Sequence, residues 1–564
     1  MKKRIPDLIA LLLAILVGFG NVYNVVINFL KTPPGTQYLG TGNFHLPDYF
    51  YYLVFVEEGL RGYWQVLNLY TQEGTVVYWV IHWPYLLIGH LSRLFSLSAP
   101  AGYWISVFLL STAIVFCAYI FLKLVFKAIG KSYLVFPVLI VYILASPFSL
   151  IGQNPFRIEI MRVTWYYQAD FFSRISTIPH HLLSGLGVMI FLIASFYFFE
   201  LLKLKEKRYV FRSFLSWLVI AFLLLLVMST TPIPPTFILP AFGVTLIYSF
   251  FFYRFFKPKG ILFYGISFLG LALILFLFGL YFQQNIAAIY NDEVGIAETG
   301  DMQWPSLKLF FLSSGLVFVL AIPSLLIVFR NAIKTLIHPS IIMGILASVL
   351  SYALFFTRLS ILFKAHNSRF LFPDAYLFMA TVIFLALDKL KTKSWKRKVV
   401  IWLVTILIIC FSLPSIYTVL KIRSHDRISF LEEYNDYLPN EIIDGFKFLE
   451  DQPFKNPLVL MTTVSGLRMI LPIYTQARVY ASNLLHTIDF PRKSKNCNDF
   501  FTNAMSNQQK INFLRQEKIN YLIFTVFDLG NMDKKYLHDP YFISEDLPVE
   551  LIFSNSKIVI YKVL

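Results

Sequence analysis

"NFHLPDYFYYLVFVEEGLRGYWQVLNLYTQEG", residues 43–74, follows closely on the apolar run Leu8–Leu30, and its reading decides how the rest of the chain is understood. That run can cross about 30 Å of hydrocarbon at about 1.5 Å per residue. It is too long for a signal-peptide core, follows "MKKRIPD" and lacks a small-residue cleavage site, so it is read as a retained first helix. The quoted stretch then begins just outside a membrane. Pro47 precedes Asp48, an apolar helical pattern follows, and Gly59 and Gly62 close it, which are helix start and stop signals. Asp48 has two readings there. It caps an interfacial helix, or it is a carboxylate held at the membrane surface to accept a proton or bind a divalent cation. Glu57 and Glu58 are carried away along the helix. Glu73 lies in a turn that can fold back, which makes it the second candidate carboxylate.

Apolar runs of spanning length recur along all 564 residues, of which 57% are hydrophobic and 14% charged. The fold class is therefore a polytopic α-helical membrane protein. The net charge of +17 would suit nucleic acid in a soluble chain, but residues 422–564 hold 16 Lys and Arg against 17 Asp and Glu, so the excess belongs to the membrane part. It reports topology, and no nucleic-acid partner is expected. The three cysteines are too few for a disulfide framework.

Basic clusters at Lys123–Lys131, Lys203–Arg212, Arg254–Lys259, Arg330–Lys334 and Lys389–Lys398 read as cytoplasmic loops. The intervening segments 151–180, 230–236, 283–305 and 358–369, with everything beyond about residue 420, then lie outside. Parity holds with a cytoplasmic N-terminus if "VVYWVIHWPYLLIGHLSRLF", rich in aromatics and carrying His82, His90 and Arg93, lies in the interface as a helix over 76–97. That leaves about eleven spans; the rival assignment is a twelfth span with a basic outer loop. The expected organisation is a transmembrane domain over 1–421, with its first outer loop at 32–75, and an extracytoplasmic α/β domain over 422–564. Within the latter, "PLVLMTT" and "INYLIFTVF" read as strands, "SGLRMILPIYT" as a helix ended by Pro472, and "VELIFSNSKIVIYKVL" as two strands.

Outer loops are expected to be poor in cations, so two exceptions point to a ligand. The first carries Arg157, Arg162, Arg174, His180 and His181; the second, "RLSILFKAHNSRF", carries Arg358, Lys364, His366 and Arg369. Arginine forks and histidine donors suit a phosphate at headgroup level. The plainer reading is pairing with Glu159 and Asp170 or with lipid headgroups generally. Adjacent histidines on a helix point about 100° apart, so His180–His181 is a weak metal signal, and a metal site stays unknown. Phosphate-loop, His-Glu-x-x-His, Gly-x-Ser-x-Gly and Cys-x-x-Cys patterns do not occur.

An apolar first helix, an early acid in a long outer loop, interfacial helices, many spans and an outer C-terminal domain resemble the GT-C superfamily of membrane glycosyltransferases. The likeness is to bacterial members of the kind that includes protein O-mannosyltransferases and lipid A aminoarabinose transferases. It rests on "PDYFYYL", "NLYTQE", "HNSRFLFPDAYLFMA" and "ARVYASNLLHTIDFPRK". The chain departs from the superfamily in lacking an Asp-Glu pair in the first loop and the Pro-Pro that often follows it. The resemblance implies a sugar donor on a polyprenyl phosphate, an acceptor of unknown kind, action on the outer face of the plasma (cytoplasmic) membrane, and Asp48 as the catalytic or metal-binding carboxylate. It also implies that Arg162, Arg174, His180, His181, Lys364, His366 and Arg369 supply the basic surroundings of the lipid phosphate. No cofactor is required by the sequence, and a divalent cation is left open. The alternative is a transporter or flippase of lipid-linked saccharides. Such a protein should bury ionisable groups at mid-membrane, whereas the predicted spans here are nearly free of charge.

Overall fold

A computed structural model describes residues 4–564 apart from 43–45, 75–78, 154–155, 161–173, 204–207, 254–257, 286–303, 333–336, 363–365, 426–436, 463–465, 503 and 528–546. By packing, the chain forms two compact units: 1–21 with 107–425, and 22–106 with 426–564.

The first unit is helical: it takes most of α1 (Ile5–Leu30) and of α4 (Ala99–Ala128), between which α2 (Leu46–Arg61) and α3 (Trp79–Leu94) belong to the second unit, and the helices that follow in chain order. They are α5 (Val135–Leu144), α6 (Pro179–Lys203), α7 (Arg208–Thr230), α8 (Pro235–Tyr253), α9 (Pro258–Asn285), α10 (Leu307–Ala332), α11 (Pro339–Phe356), α12 (Leu359–Leu362), α13 (Ala375–Leu387) and α14 (Ser394–His425). Among the described residues eight helices are long and apolar enough to cross a membrane, and the three segments Ser132–Leu144, Pro235–Phe251 and Ala375–Leu387 are apolar but shorter. α3 belongs to neither group.

α13 is apolar all round and buried from Ala375 to Ala386, packed by α5, α10 and α11, as expected of a helix with no polar face. Its neighbour α10 breaks at Gly315 (φ 74°), where a Cβ would lie 2.2 Å from the carbonyl oxygen of Ser146, so only glycine admits that approach. Ion pairs knit the basic loops together. Asp388, just after α13, meets Lys131, Tyr133 and Arg397, and Asp7 accepts from Tyr119 at 2.7 Å and from Lys123 at 2.5 Å.

The second unit is built on a five-stranded mixed sheet. Its strands are β5 (Leu458–Leu460), β6 (Arg478–Val479), β7 (Tyr521–Thr525), β8 (Val549–Ser554) and β9 (Ile558–Val563), in the spatial order β6-β5-β7-β9-β8. β5 pairs in parallel with β6 and β7, and β9 runs antiparallel between β7 and β8. One face of the sheet packs on Cys497, Phe500, Phe501, Phe513 and Leu514 from the helices Phe490–Phe501 and Asn507–Gln516. The helix Leu467–Tyr474 runs through Pro472 and ends two residues beyond it, where a stop at that proline was expected. Proline near the end of a short helix costs little, because few i→i−4 bonds remain to be broken.

By packing, the first outer loop and the helix after it group with the C-terminal region. The cause is backbone pairing. β1 (Thr36–Tyr38) runs antiparallel to β4 (Tyr437–Pro439), and Thr71 bridges Ala481. The Val479 N–H also donates to the Leu69 carbonyl at 2.8 Å.

Candidate active site

Asp48 sits in the first turn of α2, where the partial positive charge of the helix start favours a carboxylate. The entry into this turn is fixed by buried aromatics. The Tyr49 hydroxyl donates to the Leu39 carbonyl (2.9 Å), the Trp104 indole donates to the Gly40 carbonyl (2.7 Å), and the Tyr49 ring stands edge-on to Tyr103. Further along, α2 crosses α3 at a pair of glycines. A Cβ on Gly59 would lie 2.3 Å from the Leu86 carbonyl oxygen, and one on Gly89 would lie 2.1 Å from that of Val56. The two helices therefore touch backbone to backbone and hold α2 as a rigid base. α2 ends where the Tyr63 N–H bonds back to the Glu58 carbonyl.

A histidine from the C-terminal region meets this turn. His486 Nε2 lies 3.9 Å from Asp48 Oδ1, and its ring lies flat on that of Tyr51, with centroids 3.6 Å apart and planes 7° from parallel. Tyr51 is one helical turn from Asp48, so a single face of α2 presents the carboxylate and the plate for the imidazole. His82 of α3 stands edge-on to Tyr51 and stacks on Phe55. The loop that carries His486 is tied at several points. Asn483 Oδ1 accepts from the N–H groups of Leu485 (3.0 Å) and His486 (2.9 Å), and the Asn68 side chain donates to the His486 carbonyl at 2.9 Å. The Thr487 hydroxyl donates to the Tyr70 carbonyl (2.7 Å) and accepts from the Ser482 N–H (2.9 Å).

Glu73, the second candidate carboxylate, is held differently. Both its oxygens accept from Lys493 Nζ, at 2.6 and 2.8 Å, and the Thr71 hydroxyl also donates to it. Lys493 is fully buried and lies beside the Tyr480 ring. Partial burial pushes the Glu73 carboxyl up, but the hydrogen bonds from Lys493 and Thr71 outweigh it, and the net shift is downward. Glu57 and Glu58 face Arg61, with Glu58 at 2.6 Å, and Arg61 also reaches Glu450 at 3.4 Å. Burial raises both of their carboxyls against the pull of Arg61.

The basic candidates of the membrane unit fall into separate environments. Arg174 is buried; its guanidinium donates to the carbonyls of Ile143 (3.2 Å) and Ala145 at the end of α5 and lies 4.5 Å from the Tyr376 ring centroid. It is a cap on a helix C-terminus, a natural place for a cation. His366 is buried, accepts from the Ser368 N–H at 3.1 Å through Nδ1 and so caps the short 3-10 turn Asn367–Phe370, whose last turn holds the half-buried Arg369. His180 and His181 occupy the first turn of α6 with ring centroids 4.2 Å apart, His180 buried and His181 half-buried. Arg162 and Lys364 lie outside the described residues. Among the described residues no group of three or more His, Cys, Asp or Glu side chains is placed to hold a metal.

Sequence reasoning missed His486, Tyr51 and His82 as members of one cluster. The segment "SNLLHT" did carry a signal, an asparagine three residues before a histidine, which is the spacing of a side-chain-to-backbone turn that fixes the later residue.

No family model and no curated protein matches the chain. Solved structures do. The oligosaccharyltransferase of Archaeoglobus fulgidus in its apo form is 12% identical with a TM-score of 0.52, over 98% of this chain and 74% of that one. The archaeal oligosaccharyltransferase AglB of the same organism, in complex with an inhibitory peptide and a dolichol-phosphate, is 11% identical with the same TM-score and coverage. An arabinofuranosyltransferase, AftD, from mycobacteria is 12% identical with a TM-score of 0.40, over 99% of this chain and 40% of that one. The oligosaccharyltransferase likeness is one of fold: this chain shares with it a multi-pass helical architecture, and it carries a small C-terminal sheet.

Proposed function

We propose that the chain is a membrane glycosyltransferase that moves a sugar from a polyprenyl-phosphate donor to a hydroxyl-bearing acceptor, a glycan, lipid or protein, on the outer face of the plasma membrane. The observation that carries this reading is Asp48, fixed by buried aromatics in the first turn of α2 with an imidazole facing it, in a chain of GT-C fold. In the proposed reaction Asp48 takes the acceptor's hydroxyl proton. The acceptor oxygen bonds to the anomeric carbon, and the bond from that carbon to the phosphate oxygen breaks, its electron pair leaving with the lipid phosphate. A structure of similar fold, an archaeal oligosaccharyltransferase in complex with a dolichol-phosphate, supports a lipid phosphate as the leaving group. His180, His181 and Arg369, with Arg162 and Lys364, are proposed to recognise that phosphate, whose developing charge donors of this kind stabilise. Arg174 and His366 are proposed to shape the backbone around them, since helix-end and turn groups already engage both. The chemistry proposed for Asp48 is direct proton transfer; a divalent cation held by the carboxylate is the second route.

The test is transfer in proteoliposomes supplied with polyprenyl-phosphate sugars, wild type against Asp48→Asn. Loss of transfer with retained folding supports the reading. Undiminished transfer by the variant sinks the role of Asp48, and saccharide translocation without transfer by either protein favours the flippase alternative.

A further inference from the structure

We propose that His486 is the positioning partner of Asp48: anchored by the C-terminal region and clamped flat against Tyr51, its imidazole holds the carboxylate ionised and aimed while the acceptor hydroxyl is deprotonated. This rests on the reading of Asp48 as the base. The geometry is specific. Nε2 faces Oδ1 at 3.9 Å, the His486 side chain is 8% exposed, and the ring stack at 3.6 Å leaves the imidazole little freedom to turn away. The surrounding loop makes hydrogen bonds through Asn68, Asn483 and Thr487, all of which fix the backbone within one residue of His486 or its own carbonyl. Two segments more than four hundred residues apart are thus brought together to set one ring against one carboxylate.

In the transfer step the acceptor proton goes to Asp48, and His486 keeps its own protons throughout. Its effect is electrostatic: a donor edge beside the carboxylate favours the ionised form that starts the reaction. Among the described residues, Asp48 and Tyr51 on α2 face His486, and Tyr70 has its ring centroid 6.1 Å away.

The first experiment reads the pairing without activity. Full-length protein in lipid nanodiscs is labelled at its ten histidines, His486 is assigned with His486→Gln, and its ring NMR signals are compared between wild type, Asp48→Asn and Tyr51→Leu. The His486 signals are expected to shift in both variants, because each removes a group that faces the ring; unchanged signals in Asp48→Asn overturn the proposal. The second is the pH profile of sugar transfer. His486→Gln is expected to lose at least about tenfold in kcat, to move the acidic limb of kcat/KM upward by about one pH unit, and to leave donor KM unchanged. An unchanged acidic limb with unchanged kcat overturns the proposal while the role of Asp48 stands. If wild-type protein transfers no sugar, the enzymatic reading fails and the ring signals alone decide the pairing.

Discussion

Two carboxylates of the first outer loop, Asp48 and Glu73, are equally accessible yet held in opposite ways. Their side chains are 30% and 37% exposed, so burial does not separate them. Their partners do. Glu73 is gripped by both oxygens against a fully buried lysine, whereas Asp48 faces a stacked imidazole at 3.9 Å, beyond hydrogen-bond length. A carboxylate saturated by short hydrogen bonds to a buried ammonium is a strut. One at the start of a helix, facing an imidazole, is the one proposed to exchange a proton. The sequence offered both as catalytic candidates, and the difference lies wholly in what the fold brings to each.

The largest effect should fall on activity at Asp48. Asp48→Asn is expected to lower transfer at least about a hundredfold while leaving the unfolding temperature unchanged, measured by turnover in proteoliposomes and by thermal unfolding in detergent. Glu73→Gln should do the reverse. It leaves the Lys493 ammonium buried against a neutral amide, with a stability loss of about 2–4 kcal/mol after allowing for the partial exposure of Glu73, and turnover per folded molecule close to wild type. Loss of turnover without loss of stability would make Glu73 the reacting carboxylate and erase the contrast.

The same pair predicts a pH dependence. Glu73 has a folded value below its ordinary 4.5, so its contribution is present above the unfolded value and is lost as pH falls through the lower folded one. Unfolding temperatures of wild type should therefore drop between about pH 5 and 3, more steeply than those of Glu73→Gln; parallel curves would show that the ion pair carries no stability. The smallest effect is expected at Arg174, where Arg174→Met removes a donor from the Ile143 and Ala145 carbonyls at a cost of about 1–3 kcal/mol. Donor KM should not move. A raised KM with unchanged stability would return Arg174 to phosphate recognition.

Much of the architecture was legible because it follows from local periodicity. The apolar runs became helices, and the run around Ser-Asn-Ser became the antiparallel pair β8–β9. The site was legible only in half. Asp48 could be singled out from its place after the first span, but His486 could not, since nothing local ties residue 486 to residue 48. Arg174 shows a related limit: a surplus of cations is visible in the sequence, whereas the helix-end carbonyls that one of them meets are visible only after folding.

The pairing of β1 with β4 has a consequence for how the protein is made. The first loop leaves the ribosome early, but the segments that complete it, Tyr437–Pro439, His486 and Lys493, are synthesised only after the helices up to α14. Contacts of such long sequence separation form slowly, because a large loop must close before they can act. A chain that stops short of residue 437 therefore lacks every partner that the C-terminal region gives to β1, Asp48 and Glu73.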